Sequence, residues 1–411
     1  MKFFTYILLF FLISEVVFSK DFWHSANGPS GGIVTSLAVD SSSSFIFVGT
    51  SNGGVYRSDI NSNVWTQINS GLSNTDVKTL LINSDGNIFA GTFGGGIFIS
   101  TNNGDSWNAS NSGLTNPYLY STAVSPNGNI YAGTGQRVFR SVNNGSSWTV
   151  ISNGIPSASI TSLAVNSSGY IFATTLGSGL YRSTNNGDLW IRKDSGIVNP
   201  DMQSVAIRSD GIIFIGTYNG VFRSLNNGDS YTRIDSGLTN VTAVYAFTFN
   251  SHNDIYLGKF SGGIYNSINS GNSWTENNSG LTNLNVTALA TDSNGFIYAG
   301  TSGSGVFKSD NTITNNIIDN EVSVNSFELL QNYPNPFNPT TNLEYRISKF
   351  EFVTLKIYDV LGNEVAILVN ENQKAGSYKI NFNGSKFPSG IYIYKLTVNG
   401  ISQNKKMILL K

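Results

Sequence analysis

Short apolar runs alternate with turn-forming residues along most of the chain, and this pattern predicts β-strands. In the first clear unit the runs cover Val34–Val39, Phe45–Thr50, Val55–Ser58 and Trp65–Ile68. Clusters of Gly, Asn, Ser and Asp, such as Ser-Asp-Gly-Asn at 84–87, lie between the runs. Strands bounded by such residues are typical of antiparallel sheets that are joined by tight turns.

The unit repeats, and the tryptophans mark the period. All six tryptophans, with Tyr231 in the remaining slot, are 41 to 43 residues apart: Trp23, Trp65, Trp107, Trp148, Trp190, Tyr231 and Trp274. A second series of seven lies out of phase with the first: Gly49-Thr50, Gly91-Thr92, Gly133-Thr134, Thr174-Thr175, Gly216-Thr217, Gly258-Lys259 and Gly300-Thr301. Four strands per unit and seven units predict an all-β fold, a seven-bladed β-propeller.

A stacked solenoid is the alternative architecture for such a repeat. The chain, however, begins its repeats at Trp23, in a fourth-strand slot, and its last unit stops after residues 306–309 without a fourth strand. An N-terminal strand that completes the last blade would close the ring and leave no open end. We therefore expect the propeller to cover residues 20–310.

An eight-residue box, Ser-x-Asn-x-Gly-x-x-Trp/Tyr, precedes five of the fourth strands. Its fixed residues are Ser100, Asn102, Gly104, Trp107, Ser141, Asn143, Gly145, Trp148, Ser183, Asn185, Gly187, Trp190, Ser224, Asn226, Gly228, Tyr231, Ser267, Asn269, Gly271 and Trp274. The pattern resembles the Asp-box (BNR) repeat of sialidases and related propellers. Turn chemistry accounts for every fixed slot, so we assign these residues a structural role.

The resemblance does not extend to sialidase chemistry, which would need three arginines on a carboxylate, a tyrosine nucleophile and an acid. The available arginines, Arg57, Arg140, Arg182 and Arg223, all occupy one repeat slot directly before the box serine. Equivalent positions in successive blades indicate scaffold residues that pair or pack between blades.

Positions that break the repeat are the candidate ligand-binding residues. They fall in the loops that enter first strands or join second to third strands: Phe93, Tyr118, Tyr120, Gln136, Arg137, Tyr218, Asn219, Lys259 and Phe260. Aromatic, amide and charged side chains in such loops suit a glycan or a peptide. Asp76 and Asp201 are the only acids in the first-strand loops, and they are weak candidates for a catalytic pair because three blades separate them.

Composition narrows the function further. The chain has no cysteine and two histidines among 411 residues, which disfavours disulfide scaffolds, cysteine nucleophiles and histidine-rich metal sites. We expect no cofactor and no bound metal. A net charge of −1 argues against nucleic acid as a partner.

The N-terminus predicts a secretory signal peptide over residues 1–19. Lys2 is followed by an apolar run from Phe3 to Ile13 and by small residues near Ser19. A membrane anchor is the alternative, but Glu15 interrupts the run before it could span a bilayer. No other segment is apolar enough to span a membrane.

Charge and composition change at an Asn-rich linker over residues 311–325. Residues 21–325 carry 12 basic and 18 acidic side chains, a net −6, whereas residues 326–411 carry 10 and 6, a net +4. Six apolar or alternating runs after the linker predict a small Ig-like β-sandwich.

This last domain, residues 326–411, resembles the type A sorting domain of the type IX (Por) secretion system. The motif residues are Pro334, Pro336, Asn338, Pro339, Gly390, Lys405, Lys406 and Lys411. The resemblance implies recognition by the type IX translocon and its sorting protease, and export to the surface or medium of a Gram-negative bacterium. A sugar-binding Ig-like accessory domain is the alternative.

The sequence therefore predicts a secreted or cell-surface, non-catalytic propeller that binds a glycan, a peptide or a protein. A carbohydrate-active hydrolase or lyase that uses Asp76 or Asp201 is the main alternative. A structural adhesion protein is the third possibility.

Overall fold

The computed structural model describes residues 21–29, 32–40, 44–239, 242–310, 327–347, 350–374, 376–398 and 401–411. Every regular element within them is a β-strand. The chain divides into two compact units, 1–315 and 316–411. The predicted signal peptide and the predicted linker lie outside the described residues.

The first unit consists of seven four-stranded antiparallel sheets, which confirms the predicted propeller. The first strands, which pack against one another around the axis, are β2 (Val34–Asp40), β6 (Val77–Ile82), β10 (Leu119–Val124), β14 (Ile160–Val165), β18 (Met202–Ile207), β22 (Val244–Phe249) and β26 (Val286–Thr291). The second strands are β3 (Phe45–Thr50), β7 (Ile88–Thr92), β11 (Ile130–Thr134), β15 (Ile171–Thr175), β19 (Ile213–Thr217), β23 (Ile255–Lys259) and β27 (Ile297–Thr301).

The third strands are β4 (Gly54–Asp59), β8 (Gly96–Ser100), β12 (Val138–Ser141), β16 (Gly179–Ser183), β20 (Gly220–Ser224), β24 (Gly263–Ser267) and β28 (Val306–Ser309). The fourth strands are β5 (Thr66–Gln67), β9 (Asn108–Ala109), β13 (Thr149–Val150), β17 (Ile191–Arg192), β21 (Thr232–Arg233), β25 (Thr275–Glu276) and β1 (Trp23–Ser25). We number the blades one to seven by their first strands.

The second strands are the most deeply buried elements of each blade. Their sequences, such as Ile-Phe-Ala-Gly-Thr at β7, are apolar without alternation, and all five residues are buried. A strand with both faces covered is typically a continuous apolar run. Here the two neighbouring blades cover the two faces of the strand. The core consists of apolar clusters, each formed by residues from adjacent blades.

Blade seven is completed by the N-terminal strand β1, which pairs antiparallel with β28. Trp23 lies opposite Ser309, and its indole Nε1 donates a 2.8 Å hydrogen bond to Asn277 O in blade six. The two ends of the propeller sequence therefore lie in one sheet, so the ring is closed by backbone hydrogen bonds.

Each tryptophan joins its blade to the one before it. The Nε1 of Trp107 donates to Ile68 O, and the main-chain N–H of Trp107 donates to Ser70 O. Six of the fourth strands are two residues long and begin after the aromatic residue, shorter than the predicted Trp65–Ile68. The seventh, β1, has three residues and begins at Trp23 itself.

A glycine makes the close approach between blades possible. Gly71 has φ +84°, and a Cβ at this position would lie 2.2 Å from Trp107 O. The glycines in the same slot have positive φ and equally close neighbours: Gly113, Gly154, Gly196, Gly237 and Gly280. Only glycine fits a positive φ against a backbone oxygen at this distance.

The box forms a compact turn between the third and fourth strands. In the first complete copy, Gly104 N donates to Ser100 Oγ at 2.8 Å, and Asn102 Oδ1 accepts from Ser106 N at 3.0 Å. Asn103 and Gly104 both have positive φ. The same bonds recur in the other four complete copies, which is the geometry expected of a structural turn.

The arginines before the box serines hold neighbouring blades together. Arg57 Nη1 donates to Asn103 O and pairs with Asp105 Oδ1 at 2.9 Å. Arg140 and Arg182 make the same contacts with the next box, to Asp188 and Asp229, and Arg223 bonds to Ser270 O and Asn272. The predicted inter-blade pairing of these four side chains is confirmed.

The second unit is a β-sandwich with its own core. One sheet has the order β29 (Phe327–Leu329), β30 (Thr340–Ile347) and β33 (Gly376–Asn383). The other has the order β32 (Glu364–Gln373), β31 (Glu351–Tyr358), β34 (Gly390–Val398) and β35 (Ile401–Leu409). Alternate residues of the strands form a single buried apolar cluster.

The predicted sorting residues lie along the first loop and the last strand of this sandwich. Pro334, Pro336, Asn338 and Pro339 are exposed, and the buried ring of Phe337 anchors their loop. The last strand holds the same loop, because Gln331 Nε2 donates to Lys406 O at 2.9 Å. Lys411 Nζ donates to Ser385 O, so the terminal residue is also tied to the domain.

Candidate binding site at the propeller axis

Every first strand carries a β-bulge at its second residue, and the seven bulged residues surround the axis. The strand register shifts by one residue at this point in all seven blades. The residues at the bulges are Thr35, Lys78, Tyr120, Thr161, Gln203, Tyr245 and Thr287. A bulge redirects a side chain out of the regular pleat, and bulges are frequent beside functional sites.

All seven bulged residues line one cavity of about 420 Å³. We call this cavity the axial mouth. Hydroxyl-bearing residues of the first strands, including Ser36, Thr79, Ser121 and Ser162, line it as well. The volume lies within the range of about 300–1,000 Å³ that is common for small-molecule sites.

The loops that carry the predicted binding residues lie around this mouth. The turn after each second strand is bonded to the loop before a first strand, for example Gly94 N to Pro117 O and Tyr218 N to Asp201 O. The box turns instead contact the turns between first and second strands, as in the bond from Asn83 Nδ2 to Asn144 Oδ1. The box turns therefore lie on the opposite face from the axial mouth.

The threonines of the bulge ring bond to the next blade. Thr35 Oγ1 donates to Val77 O and Thr161 Oγ1 donates to Met202 O. Thr287 makes the corresponding bond to Val34 O. These three threonines therefore stabilise the contact between blades. The four larger bulged residues supply the amine, amide and phenol groups of the mouth: Lys78, Tyr120, Gln203 and Tyr245.

An aromatic wall rises on the side of blades two and three. The ring of Phe93 packs edge-on against Tyr118, with centroids 5.0 Å apart, and against Tyr120 at 5.8 Å. The ammonium of Lys78 lies 5.4 Å from the Phe93 centroid, a cation–π contact. Phe93 and Tyr118 are 38% and 46% exposed. They do not line the cavity themselves, but Phe93 packs against Tyr120, which does.

A second aromatic wall lies on the side of blades five and six. Tyr245 packs edge-on against Phe260 at 6.3 Å and is hydrogen-bonded to Tyr218. Burial, and next the neighbouring Tyr218, raise the pKa of Tyr245, so its hydroxyl stays protonated at neutral pH. Tyr218 and Phe260 are each 47% exposed.

Gln203 supplies an unused hydrogen-bond donor inside the mouth. Its side chain lines the cavity, and its Nε2 is buried without a partner among the described residues. A buried amide N–H that bonds to nothing costs about 1–3 kcal/mol. Gln203 is thus a polar residue of the lining whose capacity to donate is unfilled among the described residues.

Of the nine predicted binding residues, only Tyr120 and Tyr218 line the cavity itself. Phe93, Tyr118 and Phe260 pack beside the lining, and the other four do not line it. Gln136 and Arg137 line a separate groove of about 540 Å³ with Ile151 and Asp188, between blades three and four. Asn219 lies in the turn after β19, where its carbonyl accepts from Arg233.

Lys259 differs most from its predicted place in an exposed loop, because it is fully buried. It is the last residue of β23, in the slot that holds a buried threonine in the other six blades. Lys259 Nζ donates to Thr239 O at 2.6 Å and lies 4.9 Å from the ring centroid of Tyr265. Burial lowers the pKa of this ammonium, and Glu276 partly opposes the shift.

The two weak catalytic candidates do not form a pair. Asp76 Oδ1 accepts from Lys78 Nζ at 2.7 Å and from Ser51 Oγ at 3.1 Å. Asp201 lies in the loop before β18, and neither carboxylate lines the axial mouth. Within the described residues, no group of three or more His, Asp or Glu side chains could hold a metal ion.

Sequence reasoning missed Lys78, Gln203 and Tyr245. They share one slot, directly after the apolar residue that begins each first strand. Successive residues in this slot are 41 to 43 positions apart along the sequence. The slot varies in size and polarity, while the residue directly before it is apolar in all seven blades. That contrast was the available signal.

Two protein-family models match parts of the chain. Residues 331–410 match the secretion system C-terminal sorting domain. The sandwich is a sorting domain. This places the protein in the medium or on the outer surface of a Bacteroidetes-type Gram-negative cell. Residues 280–303 match the two component regulator propeller family, and no curated protein matches the chain.

Solved structures with similar folds are also propellers. PorZ, a surface component of the type IX secretion system of Porphyromonas gingivalis, has 16% identity and a TM-score of 0.59, over 94% of this chain and 60% of that one. The extracellular domain of the hybrid two component system BT3049 from B. thetaiotaomicron has 19% identity and a TM-score of 0.61, over 95% and 57%.

YCF48 from Cyanidioschyzon merolae has 12% identity and a TM-score of 0.57, over 70% of this chain and 98% of that one. YCF48 also occurs bound to D1 peptide. At these identities the likeness shows the fold alone. The chain spans 60% or less of the length of PorZ and of the BT3049 domain. In the described residues, no helix is long and apolar enough to cross a membrane.

Proposed function

We propose that the propeller is a non-catalytic binding module whose ligand occupies the axial mouth. The observation that carries this proposal is Gln203, whose buried Nε2 lacks a partner inside a cavity lined by all seven bulged residues. The bulges turn variable side chains toward the axis while the rest of the repeat stays constant. Selection of a ligand through a variable ring on a constant scaffold is a common design of binding proteins.

The positions of the two candidate acids support a non-catalytic role. A glycosidase needs two carboxylates about 5–10 Å apart on either side of the scissile bond. Asp76 is held by Lys78 and Ser51, and Asp201 lies three blades away around the ring. Neither is placed to act on a group in the mouth.

We propose further that export needs both ends of the chain. Residues 1–19 would direct the chain to the periplasm as a signal peptide, and the sorting domain would be read by the type IX translocon and its protease. In this arrangement residues 20–310 form the propeller, 311–325 the linker and 326–411 the sorting domain. The box turns would then be Asp-box repeats that stabilise the propeller face opposite the ligand.

The test is a binding screen of the full chain on immobilised glycans and on immobilised peptides, with each retained compound checked for cleavage. We expect retention without products, and loss of retention in Gln203→Ala but not in Leu225→Ala. Leu225 is an exposed residue of a box turn and serves as the matched control. Cleavage products, or equal retention by both variants, would contradict the proposal.

A further inference from the structure

The axial mouth is electrically balanced. Of the described residues that line it, only Lys78 carries a charge, and its ammonium lies 2.7 Å from Asp76 Oδ1. A charged ligand group buried here would lack a counter-charge, and burial of an unpaired charge is strongly unfavourable. The site therefore selects against free chain ends, acidic sugars and phosphate groups.

The polar groups of the mouth are hydroxyls and one amide. Gln203 Nε2 is an unused donor, and Tyr218 and Tyr245 form a hydroxyl pair beside it in the lining. Most of the serine hydroxyls nearby already accept from the next blade, as Ser36 does from Leu80 N and Ser121 does from Leu163 N. The free polar capacity is thus concentrated on the Gln203 side.

The two aromatic walls are separated around the ring by blade four on one side and by blades seven and one on the other. Tyr120 is the part of the first wall that lines the cavity, with Phe93 packed against it and Tyr118 packed against Phe93. Tyr218 and Tyr245 line the cavity on the side of the second wall, with Phe260 packed against Tyr245. Their half-exposed faces offer apolar contact to a ligand that is polar at its edges. A pyranose ring has this character, because its C–H groups form an apolar face and its hydroxyls project from the rim.

We infer that the axial mouth binds the end of an uncharged oligosaccharide, with sugar rings against one or both aromatic walls and a sugar oxygen accepting from Gln203 Nε2. This inference rests on the proposed function. The volume of about 420 Å³ suits a saccharide end rather than a long segment of chain. A peptide would instead need partners for successive N–H and C=O groups along the inner edges of the first strands. Carbonyls at these edges, namely Val34 O, Val77 O and Met202 O, already accept from the threonines of the bulge ring.

The experiment is a calorimetric titration of the full chain with uncharged tetrasaccharides, namely maltotetraose, cellotetraose, xylotetraose and mannotetraose. Tetragalacturonic acid serves as the acidic counterpart, and an alanine tetrapeptide with blocked ends serves as the uncharged peptide. We expect at least one uncharged sugar to bind and tetragalacturonic acid to bind at least tenfold more weakly, or not at all.

Variants locate the site. Gln203→Ala should weaken binding of the sugar about tenfold, and Phe93→Ala or Phe260→Ala at least threefold, whereas Leu225→Ala on the opposite face should leave it unchanged. Thermal unfolding of each variant confirms that the propeller is intact. Gln203→Ala removes an unpaired amide and should not lower the melting temperature.

The outcomes separate this inference from the proposed function. Preference for the acidic sugar, or binding of the blocked peptide alone with loss in Gln203→Ala, would overturn the inference and leave the binding site in place. Absence of binding to every probe would overturn the inference as well. Binding of sugar that Gln203→Ala and both wall variants leave unchanged would contradict the inference and the proposed site together.

Discussion

The ammonium of Lys78 lies 2.7 Å from Asp76 Oδ1, at the edge of the axial mouth and beneath the ring of Phe93. Among the described residues, Lys78 is the only charged side chain in the lining of the mouth, and the pair balances its charge. The pair also engages Asp76, one of the two candidate catalytic acids. Both side chains are about one-quarter exposed, so the pair is shielded in part from solvent. The same contact thus balances the charge of Lys78 and engages the Asp76 carboxylate.

Asp76→Asn should therefore alter charge and stability, but not abolish any reaction. Loss of a partly buried ion pair is expected to lower the free energy of unfolding by about 1 kcal/mol or less. Asp105→Asn, which breaks the pair of Arg57 with an Asp105 that is 64% exposed, is the control and should have a smaller effect. Denaturant unfolding measures both. A hydrolytic activity present in the wild type and absent in Asp76→Asn would refute this reading.

The unpaired positive charge of Lys78 in Asp76→Asn should also change which ligands enter the mouth. We expect the variant to bind tetragalacturonic acid more tightly than the wild type, because an acidic group then meets a counter-charge. The comparison requires the same titration at low and high salt. No gain for the acidic sugar at low salt would show that the pair does not control selectivity.

The tryptophans should stabilise the ring through their indole N–H groups. Trp107→Phe leaves Ile68 O without its buried donor, and we expect the free energy of unfolding to fall by about 1–3 kcal/mol. Tyr231 occupies the same slot in another blade, but its buried hydroxyl has no partner among the described residues. Tyr231→Phe should be neutral or slightly stabilising. Equal losses in the two variants would contradict the role given to the indole hydrogen bond, because Tyr231→Phe removes a hydroxyl without a partner among the described residues.

Glycines in similar conformations should respond differently to alanine. Gly113 and Gly128 have φ +81° and +83°, but a Cβ on Gly113 would lie 2.2 Å from Trp148 O, whereas one on Gly128 would have no neighbour within 4 Å. Gly128→Ala should cost about 1 kcal/mol from backbone conformation alone. Gly113→Ala should cost several times more, because two blades must separate. Similar melting temperatures for the two variants would contradict the close packing.

Lys259 should give the propeller a pH-dependent stability at alkaline pH. Burial lowers the pKa of its ammonium below the ordinary value of 10.5, so the unfolded chain holds this proton more tightly than the folded one. Stability should then rise with pH between the lowered folded pKa and 10.5, relative to Lys259→Met, which cannot titrate. Melting temperatures of both proteins from about pH 8 to about pH 10 measure this difference. If the melting temperature of the wild type does not rise relative to that of Lys259→Met over this range, the ammonium is not penalised by burial.

The repeat made most of the propeller predictable. Trp65, Trp107 and the other residues of their slot fixed the blade length, and the Gly-Thr series fixed the number of blades. These positions repeat because every blade packs on the next in the same way. The inter-blade pairing of Arg57 and its equivalents was predictable for the same reason.

The binding site was less predictable, because it depends on backbone register. Tyr120 was found as an aromatic that breaks the repeat, yet Gln203 in the equivalent slot looks like an ordinary polar strand residue until the bulge turns it inward. Lys259 shows the reverse case. Its slot in the Gly-Thr series holds a buried threonine elsewhere, so the series itself indicated burial, although the residue type suggested an exposed loop.

The most direct test of the central claim is hydroxyl-radical footprinting of the full chain, with and without a compound that it retains in the binding screen. Protection should appear at Phe93, Tyr118, Tyr218 and Phe260 around the axial mouth, and Val142, Leu225 and Ile268 on the box turns should react as before. These residues are all substantially exposed, so both faces can report. Protection of the box turns with unchanged reactivity at the four aromatic residues would show that the ligand binds elsewhere and would refute the account.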